Sequence, residues 1–330
     1  MLRDPETALL VRERTTLPVL VAADFAALRK LYEKLDAKVV LYCNNSPSNF
    51  DSLLEPRMLH VHVNHGESDK QSMASNNAKS YDRVFVAGEA AVQRIATGLL
   101  EFDTSRLVRI GRPQLDLHRE PVLAPSERRT VLYAPTWEGD ADYNNYSSVD
   151  RFGPELVRGL LALPDVRVVY KPHPRVVTSE DPGVAAAHRE ITALLTGDHV
   201  ALPDADILAV MPDCNAMVTD VSSVGLDWLY LCTERPLFIA DRHDDPERLR
   251  VEAPVSRCAD VVDSTTLPGL TALVGQRLEH DELHLQRIAM RHHYFDDVRV
   301  GDSTARFITE VRDLTALRDR LLGDYEQVAT

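Results

Sequence analysis

The chain has 330 residues, 44% of them hydrophobic and 27% charged, the make-up of an ordinary soluble protein with room for two cores. Its net charge of −14 argues against non-specific nucleic-acid binding. Four cysteines (Cys43, Cys214, Cys232, Cys258) lack metal-type spacing and fit reduced thiols in a cytosolic protein. With no signal peptide or spanning apolar run, the chain is expected neither to cross a membrane nor to enter the secretory route.

Leu17–Ala22 reads as a buried strand, followed by a helix whose apolar positions are Phe25, Leu28, Leu31, Tyr32 and Leu35. Val39–Cys43, Met58–Val63, Val84–Ala87 and Leu107–Ile110 read as further strands. A short helix precedes Pro56, a loop plus helix covers 68–80, and another helix runs from Gly88 to Leu100. The acidic and basic side chains of residues 1–120 balance, so the excess negative charge lies beyond them. Residues 117–129, with two prolines among charges, read as a linker.

A second series follows. Thr130–Ala134 and Val166–Tyr170 read as strands, with a polar loop over 138–150 and a helix over Leu156–Leu163 between them. A helix near 184–195, a short strand His199–Leu202, a helical turn Ile207–Met211 and a strand Leu237–Ala240 come next. Helices dominate beyond about 268, ending in an amphipathic one marked by Phe307, Val311, Leu314 and Leu321. Strands alternating with helices in both series imply two similar α/β halves, each with a parallel, doubly wound sheet, facing a cleft.

Residues 215–228 form the focus of the second half. Asn215–Val218 begins a strand, Thr219, Asp220, Ser222 and Ser223 form a polar turn, and a helix starts with Ser222 or Ser223 as its N-cap. Such a helix start offers free N–H groups and the positive end of a dipole, a site for phosphate at the carboxyl end of a strand. In Lys171-Pro172-His173-Pro174-Arg175 the prolines are expected to hold the chain extended, so that three potential cations project to one side toward a diphosphate. His65, followed by Gly66, is placed to act as a general base. His60, His62 and His65 lack a carboxylate at helpful spacing, so no metal site is expected. Arg112 sits in a Gly-Arg-Pro turn and could meet phosphate. Asp204-Ala205-Asp206 reads as an N-cap rather than a metal–nucleotide pair.

In order along the chain, Asn64-His65-Gly66, Tyr81-Asp82-Arg83-Val84-Phe85-Val86 and Gly111-Arg112-Pro113 with Asp116 resemble the CDP-glycerol glycerophosphotransferase family. So do Leu132–Trp137, Lys171-Pro172-His173-Pro174, Thr219–Ser223, Arg235-Pro236 and Gly301–Arg306, and the match spans about 58–310. Two positions depart from the pattern. Asn64 stands where the family often has tryptophan, and the usual His-Gly-Thr run is replaced by Gly66-Glu67-Ser68 after His65; both lie on the acceptor side.

The resemblance implies a GT-B fold. Residues 1–118 would be the acceptor-side Rossmann-like domain, 119–305 the CDP-donor domain, and 306–330 a helix packing back on the first. It implies transfer of glycerol phosphate, or a related polyol phosphate, from a CDP-alcohol to a hydroxyl, releasing CMP, in teichoic-acid-like polymer synthesis. No further cofactor is required. A lipid-linked or glycan acceptor would bring the chain to the inner membrane face, and a homo-oligomer stays open.

By the same resemblance His65 is the base and His173 a second essential histidine. Arg112, Pro135, Thr136, Lys171, Arg175, Thr219, Asp220, Ser222, Ser223 and Asp227 are assigned to the donor side. Two alternatives remain: a nucleotide-sugar glycosyltransferase of the same architecture, and a non-catalytic nucleotide-binding protein.

Overall fold

The computed structural model describes residues 1–328, with side-chain environments as far as Asp324. The first lobe runs α1 (Pro5–Arg12), α2 (Phe25–Tyr32), β1 (Val39–Tyr42), α3 (Asn49–Leu53), β2 (Leu59–His62), β3 (Arg83–Val86), α4 (Glu89–Gly98) and β4 (Leu107–Arg109). The second holds β5 (Arg129–Ala134), α5 (Gly153–Leu161), β6 (Val166–Tyr170), α6 (Pro174–Val177), α7 (Pro182–Leu194), β7 (Val200–Ala201), α8 (Ile207–Val210), β8 (Ala216–Thr219), α9 (Ser223–Leu231), β9 (Leu237–Ala240), α10 (Pro246–Glu252), β10 (Asp260–Val262) and α11 (Leu270–Glu279). Two helices close the chain, α12 (His284–Phe295) and α13 (Asp302–Val328).

Both sheets are parallel. The first has the order β1-β2-β3-β4 and the second β10-β9-β8-β5-β6-β7. In the second, alternation splits the strands cleanly. Val131, Tyr133, Val168 and Tyr170 pack under α5 and α7, while Leu132, Ala134 and Met217 pack on the opposite face with α9. Every residue of β6, β8 and β9 is buried, as a sheet covered on both faces requires. Numbered within its own lobe, this sheet has the Rossmann order 3-2-1-4-5-6, so successive crossovers leave in opposite directions from the β5/β8 junction.

The last two helices join the lobes. Tyr294 and Phe295 of α12 pack in the core of the second lobe while α12 also lies against α4 of the first. Phe307, Val311 and Leu314 of α13 meet Val61, Phe85 and Ile110, with Phe307 edge-on to Phe85. The Asp116 carboxylate accepts from the Gly301 and Thr304 backbone at 2.6 Å each, so two stretches far apart in sequence meet at one joint. Gly111 turns there at φ +76°, where a side chain would also strike Ser303. Of the predicted 306–330 helix, residues 329 and 330 lie outside the described residues.

One strand expectation is overturned. Residues 17–22 form no strand; Val21 makes a single bridge to Leu2, and Leu17 is 73% exposed. Pro18 removes a ladder donor, and the run lies against Leu2 instead of adding to the open edge of the sheet at β1.

Candidate active site

The second lobe supplies one wall from the β5/β8 junction. Beyond β5 the chain passes through Pro135 and Thr136; beyond β8 it turns through Asp220 and Val221 into α9. Ser222 is the N-cap residue in extended conformation (φ −156°), but its side chain makes no capping hydrogen bond. The first-turn N–H groups of α9 are therefore left for something else to bond. Beneath the turn, Thr219 donates to the Ala134 carbonyl at 2.6 Å, and the Asp220 carboxylate accepts from Thr136 N at 2.8 Å. Both are fully buried, so they shape the turn rather than line the cleft. Burial pushes the Asp220 carboxyl up to about 7, offset in part by hydrogen bonds from Ser148 and Thr136.

The Lys171–Arg175 segment departs from expectation. Pro174 occupies the first position of α6 rather than preventing a helix, because a proline there loses no backbone bond. The chain turns after His173, and the three cations do not share a side. Lys171 is buried and donates to the Pro172 and Pro203 carbonyls at 2.8 and 3.2 Å. Arg175 swings onto the Trp137 ring, 4.2 Å from its centroid, and faces Asp140 at 3.5 Å.

His173 is held at the cleft, stacked on Trp137 with its Nδ1 accepting from Arg175 N at 3.2 Å. That bond requires an unprotonated Nδ1, which leaves Nε2–H as a donor. Burial first, then the charges of Lys70, Lys171 and Arg175, push the imidazole down to about 4, so it is neutral near pH 7.

The first lobe supplies the facing wall from the loop after β2. Asn64 adopts φ +53°, a left-handed conformation that asparagine tolerates, and its Oδ1 accepts from His65 N at 2.8 Å. His65 is exposed, and its Nδ1 donates to the Cys43 carbonyl at 2.9 Å. Nε2 is then the free lone pair. The two histidines thus present opposite groups, an acceptor on one wall and a donor on the other. Gly66 lets the walls approach: a Cβ there would lie 3.1 Å from Ser223 Cβ.

One cleft of about 470 Å³ is lined by His65, His173, Thr136, Lys171, Ser222 and Ser223, with Pro135 beside them. Lys70, which the sequence reading missed, lines it too. It reaches across from the first lobe to donate to Thr136 Oγ1 at 3.2 Å and lies over the Tyr146 ring at 5.6 Å. Among the described residues it makes no ion pair. Its position five residues after His65, in a segment otherwise read as loop, is the only sequence signal that could have found it.

Arg112 and Asp227 lie outside this cleft, buried and ion-paired with each other between the lobes at 3.0 Å. Glu67 and Asp69 both pair with Arg94 in the first lobe. His60 is bonded to Tyr42 OH and the Glu55 carbonyl, and His62 stacks on Tyr81. No group of three or more His, Cys, Asp or Glu able to hold a metal ion occurs among the described residues. Asp206 caps α8, accepting from Leu208 N at 3.0 Å.

Two parallel α/β lobes facing a cleft, with the last helix packed back on the first lobe, make this a GT-B enzyme fold. Structures of that kind include the wall teichoic acid polymerase TagF, a histidine-to-asparagine variant soaked with CDPG. It is 14% identical with a TM-score of 0.58, covering 98% of this chain and 80% of that one. The S. aureus MnaA–UDP complex is 13% identical with a TM-score of 0.59, covering 96% and 87%. No curated protein shows significant sequence similarity to the chain. Residues 57–246 match the family model for CDP-glycerol:poly(glycerophosphate) glycerophosphotransferase, and the chain belongs to that family. It is a CDP-glycerol glycerophosphotransferase-like enzyme. Among the described residues no helix is long and apolar enough to cross a membrane.

Proposed function

We propose that the chain transfers glycerol phosphate from CDP-glycerol to a hydroxyl of a glycan or lipid-linked acceptor, in the synthesis of a teichoic-acid-type polymer. Two lobes carry the work: residues 1–118 the acceptor side, 119–305 the donor side, with the last helix tying them together. The diphosphate rests on the open N-terminus of α9 at Ser222 and Ser223. Lys70 supplies the cation, because Lys171 is bonded to carbonyls and Arg175 is stacked away.

His65 Nε2 takes the proton from the acceptor hydroxyl. The oxygen attacks the β-phosphorus, the bond from that phosphorus to the oxygen bridging the two phosphorus atoms breaks, and CMP leaves with the bridging oxygen. His173 Nε2–H donates to a phosphoryl oxygen as its charge grows. Neutrality suits this role, since it keeps the tautomer fixed. Thr219, Asp220 and the Arg112–Asp227 pair hold the walls in place. A lipid-linked acceptor would bring the chain to a membrane surface.

The observation that supports this reading best is the pairing of an acceptor and a donor nitrogen across one cleft with an uncapped helix start. A donor panel tests it: CDP-glycerol, CDP-ribitol, and UDP- and GDP-sugars, each scored by the mass of the nucleotide released. CMP from a CDP-alcohol is expected. A nucleoside diphosphate released from a sugar donor, with none from CDP-alcohols, contradicts it.

A further inference from the structure

Glu67 and Asp69 stand in the stretch where the chain departs from the family pattern, and neither lines the donor cleft. Ser68 and Lys70 line it instead, alternating with them along the chain. Both carboxylates are buried and pair with Arg94 of α4. Asp69 has a second partner: the Tyr294 hydroxyl of α12 donates to it. Tyr294 is itself fixed. It is 1% exposed, and its oxygen accepts from Val255 N at 3.0 Å. Next to it, Phe295 packs edge-on to Tyr230 of α9, with ring centroids 4.9 Å apart. A side chain at Gly88 would strike the Tyr294 carbonyl, so α12 lies directly against the start of α4. Burial, then the Asp69 charge, push the phenol well above its ordinary range, so it stays a donor.

The residue after Asp69 is Lys70, whose amine meets Thr136 across the cleft. A lysine side chain is long and loses much rotamer freedom when it is held in one place. Its backbone here belongs to residues 63–70, which form neither strand nor helix, so the ladder bonds that fix a strand are lacking. The anchors of that backbone are the side-chain bonds of Glu67 and Asp69, and of these only the bond from Tyr294 crosses from α12.

We infer that Tyr294 is a positioning residue for Lys70: by holding Asp69 it fixes the backbone from which the lysine reaches the diphosphate, and so couples that cation to the docking of α12 on α9. The inference rests on the donor side of the proposed function and adds a residue that sets donor affinity without touching the donor.

The test uses the full chain and CDP, with affinity read by calorimetry and folding by circular dichroism. Tyr294→Phe removes the hydroxyl alone and should weaken CDP binding about 5-fold. Asp69→Ala removes its acceptor and should weaken binding by a similar factor. Asp69→Asn still offers an oxygen to the phenol and should stay within about twofold of wild type. Lys70→Met should weaken binding about 10-fold, and adding Tyr294→Phe to it should cost nothing further, because Tyr294 acts only through the lysine.

Unchanged CDP affinity in folded Tyr294→Phe or folded Asp69→Ala overturns the inference, as do losses that multiply to about 50-fold in the double variant. Asp69→Asn as weak as Asp69→Ala also overturns it, by moving the role to the pair with Arg94. Turnover is scored separately. Coupling of Tyr294 to Lys70 in CDP binding, with no CMP released from CDP-glycerol, leaves the inference standing and removes the transferase reading instead.

Discussion

The two walls of the cleft are built by different means. The second-lobe wall is largely backbone: an uncapped helix start and a turn rooted in strands buried on both faces. The first-lobe wall is largely side chains on residues 64–80, a segment with no strand. Arg94 steadies it by pairing with Glu67 and Asp69, and Tyr294 of α12 steadies it by donating to Asp69. A backbone wall can hold a diphosphate through geometry that any Rossmann-type lobe supplies. A side-chain wall changes with each substitution. On this account the donor is set by the fold and the acceptor by residues 62–80, where Asn64 and Glu67 also depart from the family pattern.

The comparison breaks most visibly at His65. His65→Ala should lower the transfer rate about 10³-fold while CDP-glycerol affinity stays within about threefold, because only the acceptor proton is affected. Steady-state kinetics with calorimetry check this. A loss of donor binding instead would move His65 to the donor wall.

Arg94→Met should come next, on stability. It strands two buried carboxylates and should destabilise the chain by about 3 kcal/mol, seen as a lower midpoint in urea. A neutral outcome would show that the first-lobe wall does not depend on that pair.

Lys70→Met sharpens the boundary between walls. It should raise the CDP-glycerol KM about 10-fold with a smaller change in kcat, since it removes one charge from a cleft already holding a helix N-terminus. An unchanged KM would return the cation role to Lys171.

The smallest effect is pH-dependent. The Asp220 carboxyl titrates near 7 in the fold and near 3.8 unfolded. Between these values the folded chain holds a proton that the unfolded chain has released, so this group's contribution to stability falls as pH rises through the window. Asp220→Asn should match wild type near pH 4 and exceed it near pH 8, read from thermal midpoints at both. The same gap at both pH values would contradict the assignment.

Much of the second lobe was legible in the sequence for a physical reason. β5, β6, β8 and β9 are short apolar runs bounded by polar turns, and their burial on both faces leaves no competing reading. His65 and His173 were also legible, and both reach the cleft. The failures have local causes. Leu17–Ala22 looked like a strand because apolar content cannot show whether a sheet partner exists. Lys171–Arg175 looked extended because a proline that starts a helix is hard to tell from one that prevents it. Arg112 and Asp227, read as donor contacts, form an ion pair between lobes that no spacing in sequence announces. Lys70 was missed because its role depends on Thr136, 66 residues away.

The most direct test of the central claim is a mass balance on one reaction, in which CDP-glycerol and a hydroxyl-bearing acceptor are incubated with the full chain and both products are weighed. One CMP should appear for each acceptor that gains one glycerol phosphate. Release of CDP, or CMP formed with free glycerol phosphate and an unaltered acceptor, would contradict attack on the β-phosphorus by an acceptor held beside His65.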